Sequence, residues 1–502
     1  MAAICCTCSI EIHLGICLRW IFFCEFEMKG GNTDMDNKRS VGKRVQRSVV
    51  MPLVIAGGAL LLSKAQIAVK NQGYVPFSDA PINYRSENLN DPVAKLQQRL
   101  DRGEAALSYE PEHGYLRSVL KELNIPVDSQ TLVFSKTSFQ YKKISPEHPR
   151  ALYFNDDVYI GQVHEGKAIE VVSFDPMQGA IFYLLDEHQV EKPKFERAEL
   201  DCTQCHIAAG TRGVPGVLLR SIYPTSTGTQ ATSTRSFITD QESQIKNRWG
   251  GWYVTGKFSS APELSIGNSV VPDGDNAGDE KLTLIAAKFD KKSYLTADSD
   301  VVAHLVLAHQ TQAHNLITLT NYRTRIAEFQ AAKPNDGKPV DAASLSESIR
   351  QQYERPAEQL VRYLVFANEA SLAGMDFEAD AKSDFARDFT AHGPRDAKGR
   401  SLRDFDLKVH TFRYPCSYLI YTESFDNIPE PAKGYVYHRL FQVLTGEDQS
   451  QDFAGTSPEA KRAALEILLA TKRGLPEEWR SYAQSKRLRI AAQPVGSSHI
   501  HG

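Results

Sequence analysis

Beyond residue 24 this 502-residue chain has only three cysteines, Cys202, Cys205 and Cys416; the other five are Cys5, Cys6, Cys8, Cys17 and Cys24. A disulfide framework is thereby excluded, and the body of the protein must be held by an apolar core. Surplus positive charge is lacking as well, since 58 Lys and Arg stand against 61 Asp and Glu for a formal net charge of −3. No basic field is available for a nucleic-acid backbone, so no nucleic acid is expected as a partner. The chain also lacks a glycine-rich phosphate loop, a G-x-S-x-G elbow and an H-E-x-x-H pair, which removes support from nucleotide-binding, serine-hydrolase and zinc-protease readings. Methionine is scarce, and none lies between His206 and Met375.

Against these absences stands one segment, Cys202-Thr203-Gln204-Cys205-His206. A chain of this composition would contain C-x-x-C-H about 0.004 times by chance. Two thiols at this spacing can add across porphyrin vinyl groups as thioethers, and the adjoining imidazole can ligate the iron. Half a zinc site and a dithiol redox pair are the competing uses of C-x-x-C. The segment resembles the attachment site of c-type cytochromes, and the whole chain resembles large secreted bacterial proteins that carry a single haem c. The resemblance implies one covalent haem c per chain, with Cys202 and Cys205 as thioether sites, His206 as axial ligand, and a redox partner protein. It does not extend to the small cytochrome fold, whose methionine ligand normally follows some tens of residues after the motif. Two functional readings stay open: an electron-transfer protein with both axial positions filled, and a peroxidase-like or oxidase-like haem enzyme with an open sixth position.

Export agrees with that resemblance. Residues 1–34 read as an upstream extension of the reading frame, with Met28 and Met35 as alternative starts. Residues 35–70 read as a signal peptide or signal anchor: Lys38, Arg39, Lys43, Arg44 and Arg47 precede the apolar run 49–62 and the small-x-small site Ser63-Lys64-Ala65. Fourteen residues of helix reach ~21 Å, short of the ~30 Å hydrocarbon core, which favours cleavage and a periplasmic or other extracytoplasmic location. Retention of the run as a membrane tether at the inner membrane is the alternative.

The expected fold class is α+β, with a β-rich unit over 71–280 carrying the motif, a mainly helical unit over 281–492 and a disordered tail over 493–502. Runs rich in Val, Ile, Phe and Tyr at 131–139, 151–163, 168–174 and 180–185 read as antiparallel strands. Asn155-Asp156-Asp157 between two of them reads as a solvated turn, and 259–281 as a loop or linker. Helices are expected at 93–106, 115–123, 301–329, 342–373 with a break near Pro356, 429–444 and 457–472. Arg212 and Arg220 are candidates for haem propionates, and Trp252, in Trp249-Gly250-Gly251-Trp252-Tyr253, for the wall of a flat cofactor pocket. For the sixth ligand, the helical wheel places His309 on an apolar arc, apart from His304 and His314, and thus makes it the first candidate, with Met177 next. Cys416, in an aromatic run, reads as a buried inert thiol.

Overall fold

Alternating apolar strands separated by tight turns cannot bury their apolar faces alone, and in the computed structural model they pair into one antiparallel sheet. The structure describes residues 75–256, 265–272 and 282–488. The expectations for 1–34, for the leader and for the tail lie outside those residues. Two short helices come first, α1 (Pro92–Asp101) and α2 (Leu116–Glu122). The strands then run as β1 (Thr131–Val133), β2 (Arg150–Phe154), β3 (Val158–Gln162), β4 (Ala168–Asp175), β5 (Gly179–Asp186) and β6 (Phe195–Arg197). They form a meander, and β9 (Trp252–Tyr253) extends it beside β1, giving the order β6-β5-β4-β3-β2-β1-β9. The long β4–β5 hairpin pairs Ala168 with Asp186 at one end and Asp175 with Gly179 at the other.

Between the sheet's last two members lie α3 (Glu199–His206) and the hairpin of β7 (Leu219–Ile222) and β8 (Ser236–Thr239). The described part of the expected linker is not loose: Ser269–Val270 forms β10, which pairs with β11 (Thr283–Leu284), and Ile266, Val270 and Val271 are buried. Apolar side chains in a segment rich in turn formers were enough to fix it in place.

The helical half opens with α4 (Val301–Ala332), whose first turn is capped by Asp300 accepting from the Ala303 amide. It continues with α5 (Glu347–Leu364), α6 (Asp384–Ala391), the single turn α7 (Glu423–Asp426), α8 (Glu430–Thr445), α9 (Pro458–Thr471) and α10 (Glu477–Ser485). Pro356 lies inside α5 without ending it. The α+β class is thus observed, a sheet-rich region followed by a helical one. The two halves share their core, however: one apolar cluster runs from Val133 and Phe154 of the sheet through Val306 and Leu316 of α4 to Trp479 of α10.

Helix α4 is the pivot of this arrangement. Every residue from Val301 to Tyr322 is buried, so over these turns the helix has no solvent face, and only its last turns, with Glu328, Phe329 and Gln330, reach water. The polar and apolar arcs expected from the helical wheel therefore do not divide water from core. Most of its polar side chains are held by partners instead, His314 Nε2 being a buried atom without one among the described residues. Gln312 donates to Gly210 O (2.8 Å), Asn315 to Val217 O (2.8 Å) and Asn321 to Asn427 O (2.9 Å). Each of these bonds ties a loop to the helix and avoids the penalty of an unpaired buried group.

Candidate functional site

The motif lies on α3, a helix of eight residues that follows directly from strand β6. Its start is pinned by Arg85, whose Nε donates to Glu199 Oε1 at 2.9 Å. Residues 202, 205 and 206 are spaced i, i+3 and i+4, so helical geometry puts both sulfurs and the imidazole on one side. Cys202 is half-buried and packs on the core, whereas Cys205 is exposed. No disulfide is formed among the described cysteines.

His206 is half-buried, its ring 5.0 Å from that of Phe182 on β5. Nδ1 lies 2.8 Å from the Gly216 carbonyl oxygen. A carbonyl can only accept, so the proton is on Nδ1 and the Nε2 lone pair remains. Nε2 makes no hydrogen bond with the described residues. Burial lowers the imidazole's affinity for a proton, the carbonyl bond opposing this, so the ring is held in its neutral form. The same pair of residues is joined a second time, because the Gly216 amide donates to the His206 carbonyl at 3.1 Å.

The position of that carbonyl is set from α4. Asn315 Oδ1 accepts from the Val217 amide at 3.1 Å while its Nδ2 donates to the Val217 carbonyl. A Cβ on Gly216 would collide with Asn315 Oδ1, so the loop can approach the helix this closely only through glycine. The chain of positioning thus runs from the buried helix through Asn315 to the 216–217 loop and on to the His206 ring.

Arg212 follows the motif in a left-handed turn (φ 58°), and its Nε donates to Gln312 Oε1 at 3.2 Å. Arg220 is exposed on β7. Neither guanidinium forms an ion pair with the described residues. Trp252 is differently engaged. Its indole N–H donates to the Arg220 carbonyl at 2.9 Å, and its ring packs edge-on against His304 at 5.4 Å, within the core.

His309 is fully committed. Nδ1 donates to Gln241 Oε1 at 2.6 Å, and Nε2 accepts from the Ser417 hydroxyl at 2.7 Å. The lone pair that iron would need is therefore occupied, and the wheel argument that singled out His309 fails because α4 is buried all round. His304 Nε2 lies 3.0 Å from the Tyr253 carbonyl, and His314 Nδ1 3.1 Å from the Tyr159 hydroxyl. Burial pushes each of these three imidazoles down to about 3. Met177 is partly exposed at the β4–β5 turn, its amide bound to Asp175 and its carbonyl accepting from Arg325. Cys416 is buried, and burial pushes its thiol up to about 12, as an inert core cysteine requires.

The elements that sequence reasoning missed here are α3 itself and the roles of Gly216 and Asn315. A helix of eight residues with no apolar stripe gives no periodic signal, and a contact between residues 217 and 315 leaves none in either segment. Among the described residues no group of three or more His, Cys, Asp or Glu comes together to hold a metal ion, as a structural zinc site built on this C-x-x-C would require. The residues do fit a covalently attached haem: two thiols and a neutral imidazole on one helix face, a ring oriented through Nδ1, and two arginines nearby in the chain that form no ion pair with the described residues. Compared with known proteins, the chain matches no family model, no curated protein and no solved structure.

Proposed function

We propose that this protein is an exported c-type haem protein that carries one covalent haem and passes electrons to a redox partner protein outside the cytoplasm. The observation that carries this reading is the hydrogen bond from His206 Nδ1 to Gly216 O, which orients the imidazole and leaves Nε2 for iron. Metal-ligating histidines almost always donate their second nitrogen to a carbonyl or carboxylate in this way. When bound, the haem would supply one-electron chemistry at its iron. The chain's own contributions are separate: Cys202 and Cys205 anchor the group, His206 holds the iron, and Arg212 and Arg220 take the propionates.

The partners of His309 favour keeping the second reading, a peroxidase-like or oxidase-like enzyme with an open sixth position, because the first candidate ligand has its lone pair occupied. Expression with its leader and a haem-attachment apparatus decides the main claim by a pyridine haemochrome assay and haem staining of denaturing gels. One haem per chain is expected, and Cys202→Ala with Cys205→Ala should abolish the stain. A stain that survives the double substitution, or its absence from the unaltered protein, rejects the reading. Six-coordinate low-spin iron that resists added ligand supports electron transfer, and high-spin iron that binds ligand supports the enzyme.

A further inference from the structure

The turn at Asn155-Asp156-Asp157, expected to be simply solvated, borders a cavity of about 250 Å³. That is the volume of roughly eight waters at about 30 Å³ each. Phe154, Phe385 and Phe389 line one side, with ring centroids 5.7 Å apart for the first pair and 5.6 Å for the second. Gln310 of α4 contributes the floor and is fully engaged. Its Nε2 donates to Asn155 O and to the Tyr159 hydroxyl, and its Oε1 accepts from Tyr418. The floor is therefore rigid.

The charges around the cavity do not balance. Arg403 lies over the rings of Phe389 (4.6 Å) and Tyr418 (4.3 Å) and is ion-paired with Asp156, so its charge is already matched. Asp388 lies 3.7 Å from His392 and forms no other ion pair with the described residues. Asp157 lines the cavity too, and its carboxyl makes no hydrogen bond or ion pair with any described residue. Three carboxyl groups thus face one guanidinium. Such a space attracts a cation, repels an anion and gives a neutral molecule no counter-charge. A bare divalent ion is a poor match, since one wall is aromatic and no cluster of three ligand residues is present among the described residues.

We propose that this cavity binds a small organic ammonium, a primary or quaternary amine on a compact apolar or aromatic body, with its cationic head at Asp157 and its body against Phe154, Phe385 and Phe389. The proposal is independent of the haem reading. Burial, with Asp156 and Glu423 adding repulsion and Lys95 and Arg403 opposing, pushes Asp157 up to about 7 in the empty site. Asp388 and His392 are the other titratable groups lining the space. A bound cation favours the carboxylate, so an ammonium entering below neutrality displaces the proton of Asp157 into solvent.

Isothermal titration of the purified protein with phenethylammonium, benzyltrimethylammonium, phenethyl alcohol and phenylacetate tests this. The ammonium ions should bind at least about tenfold tighter than the alcohol, and phenylacetate weakest of all. Titrations near pH 6 in buffers of different ionisation enthalpy should report proton release. Asp157→Asn should bring the ammonium down to the alcohol's affinity and abolish the proton release, with a melting temperature no lower than that of the unaltered protein as the check on folding. Equal binding of alcohol and ammonium to the unaltered protein, tightest binding of phenylacetate, or no heat from any of the four at millimolar concentration overturns the proposal.

Discussion

Helices α3 and α4 each present a histidine protonated on Nδ1, and the two could hardly be placed more differently. His206 ends a helix of eight residues, its Nδ1 bound to a backbone carbonyl and its Nε2 without a hydrogen bond among the described residues. His309 sits inside a helix of 32 residues, buried on every side, with Gln241 on one nitrogen and Ser417 on the other. Hydrophobic surroundings do not by themselves make a histidine a ligand. What decides its availability is whether anything already meets the second nitrogen. By that criterion His206 is open to a ligand and His309 is not, while His314 of α4 keeps a buried Nε2 with no partner among the described residues.

The largest effect expected from this contrast is spectroscopic. In full-length protein made together with a haem-attachment apparatus, His206→Ala should eliminate the haem's visible spectrum, whereas His309→Ala should leave it unchanged. A spectrum altered by the second substitution and not the first would reverse the assignment of the two helices.

Stability should show the opposite ranking. His309→Ala leaves Gln241 and Ser417 without their shared partner in the core, and each unsatisfied group costs about 1–3 kcal/mol. A loss of about 2–4 kcal/mol in urea unfolding is expected, and a change below about 0.5 kcal/mol would show that the network is dispensable.

Acidity sharpens the comparison further. The folded His309 takes up a proton only near 3, while the unfolded side chain does so near its ordinary value of about 6.5. Between those values the unfolded state binds more protons, so the histidine's contribution is full above about 6.5 and falls as pH drops toward 3. The stability gap between the unaltered protein and His309→Gln should accordingly narrow by about 1.4 kcal/mol per pH unit below 6.5. Urea titrations at two pH values check it, and a constant gap would mean that the buried ring is not held neutral.

The smallest effect concerns the loop that joins the two helices. Gly216→Ala meets Asn315 Oδ1 and should cost about 1–3 kcal/mol by overpacking. Pairing it with Asn315→Ala should recover part of that loss. Additive costs in the double variant would show that the two residues do not press on each other.

The sequence was legible where a signal is local. The strands at 151–163, 168–174 and 180–185, the helix from 301 and the C-x-x-C-H segment are all readable from neighbours in the chain, and the first and second are observed as β2 to β5 and α4. It was illegible where partners are distant. Gln241 is 68 residues from His309 and Ser417 is 108 away, so a hydropathy wheel sees an apolar arc where the fold provides two polar contacts. The same limit hid the strand at Ser269–Val270, whose partner lies beyond a run of turn formers. At Asp157 the residue types signalled a turn, correctly, but its enclosure depends on Phe385 and Phe389, more than 200 residues later.

Asn315 comes 98 residues after the loop amide it restrains. A chain emerging in order presents Cys202, Cys205 and His206 long before helix α4 exists to fix the Gly216 carbonyl. Until that helix docks, either nitrogen of His206 can carry the proton, as in any short peptide. The choice between them thus rests on a residue with no place in the five-residue motif.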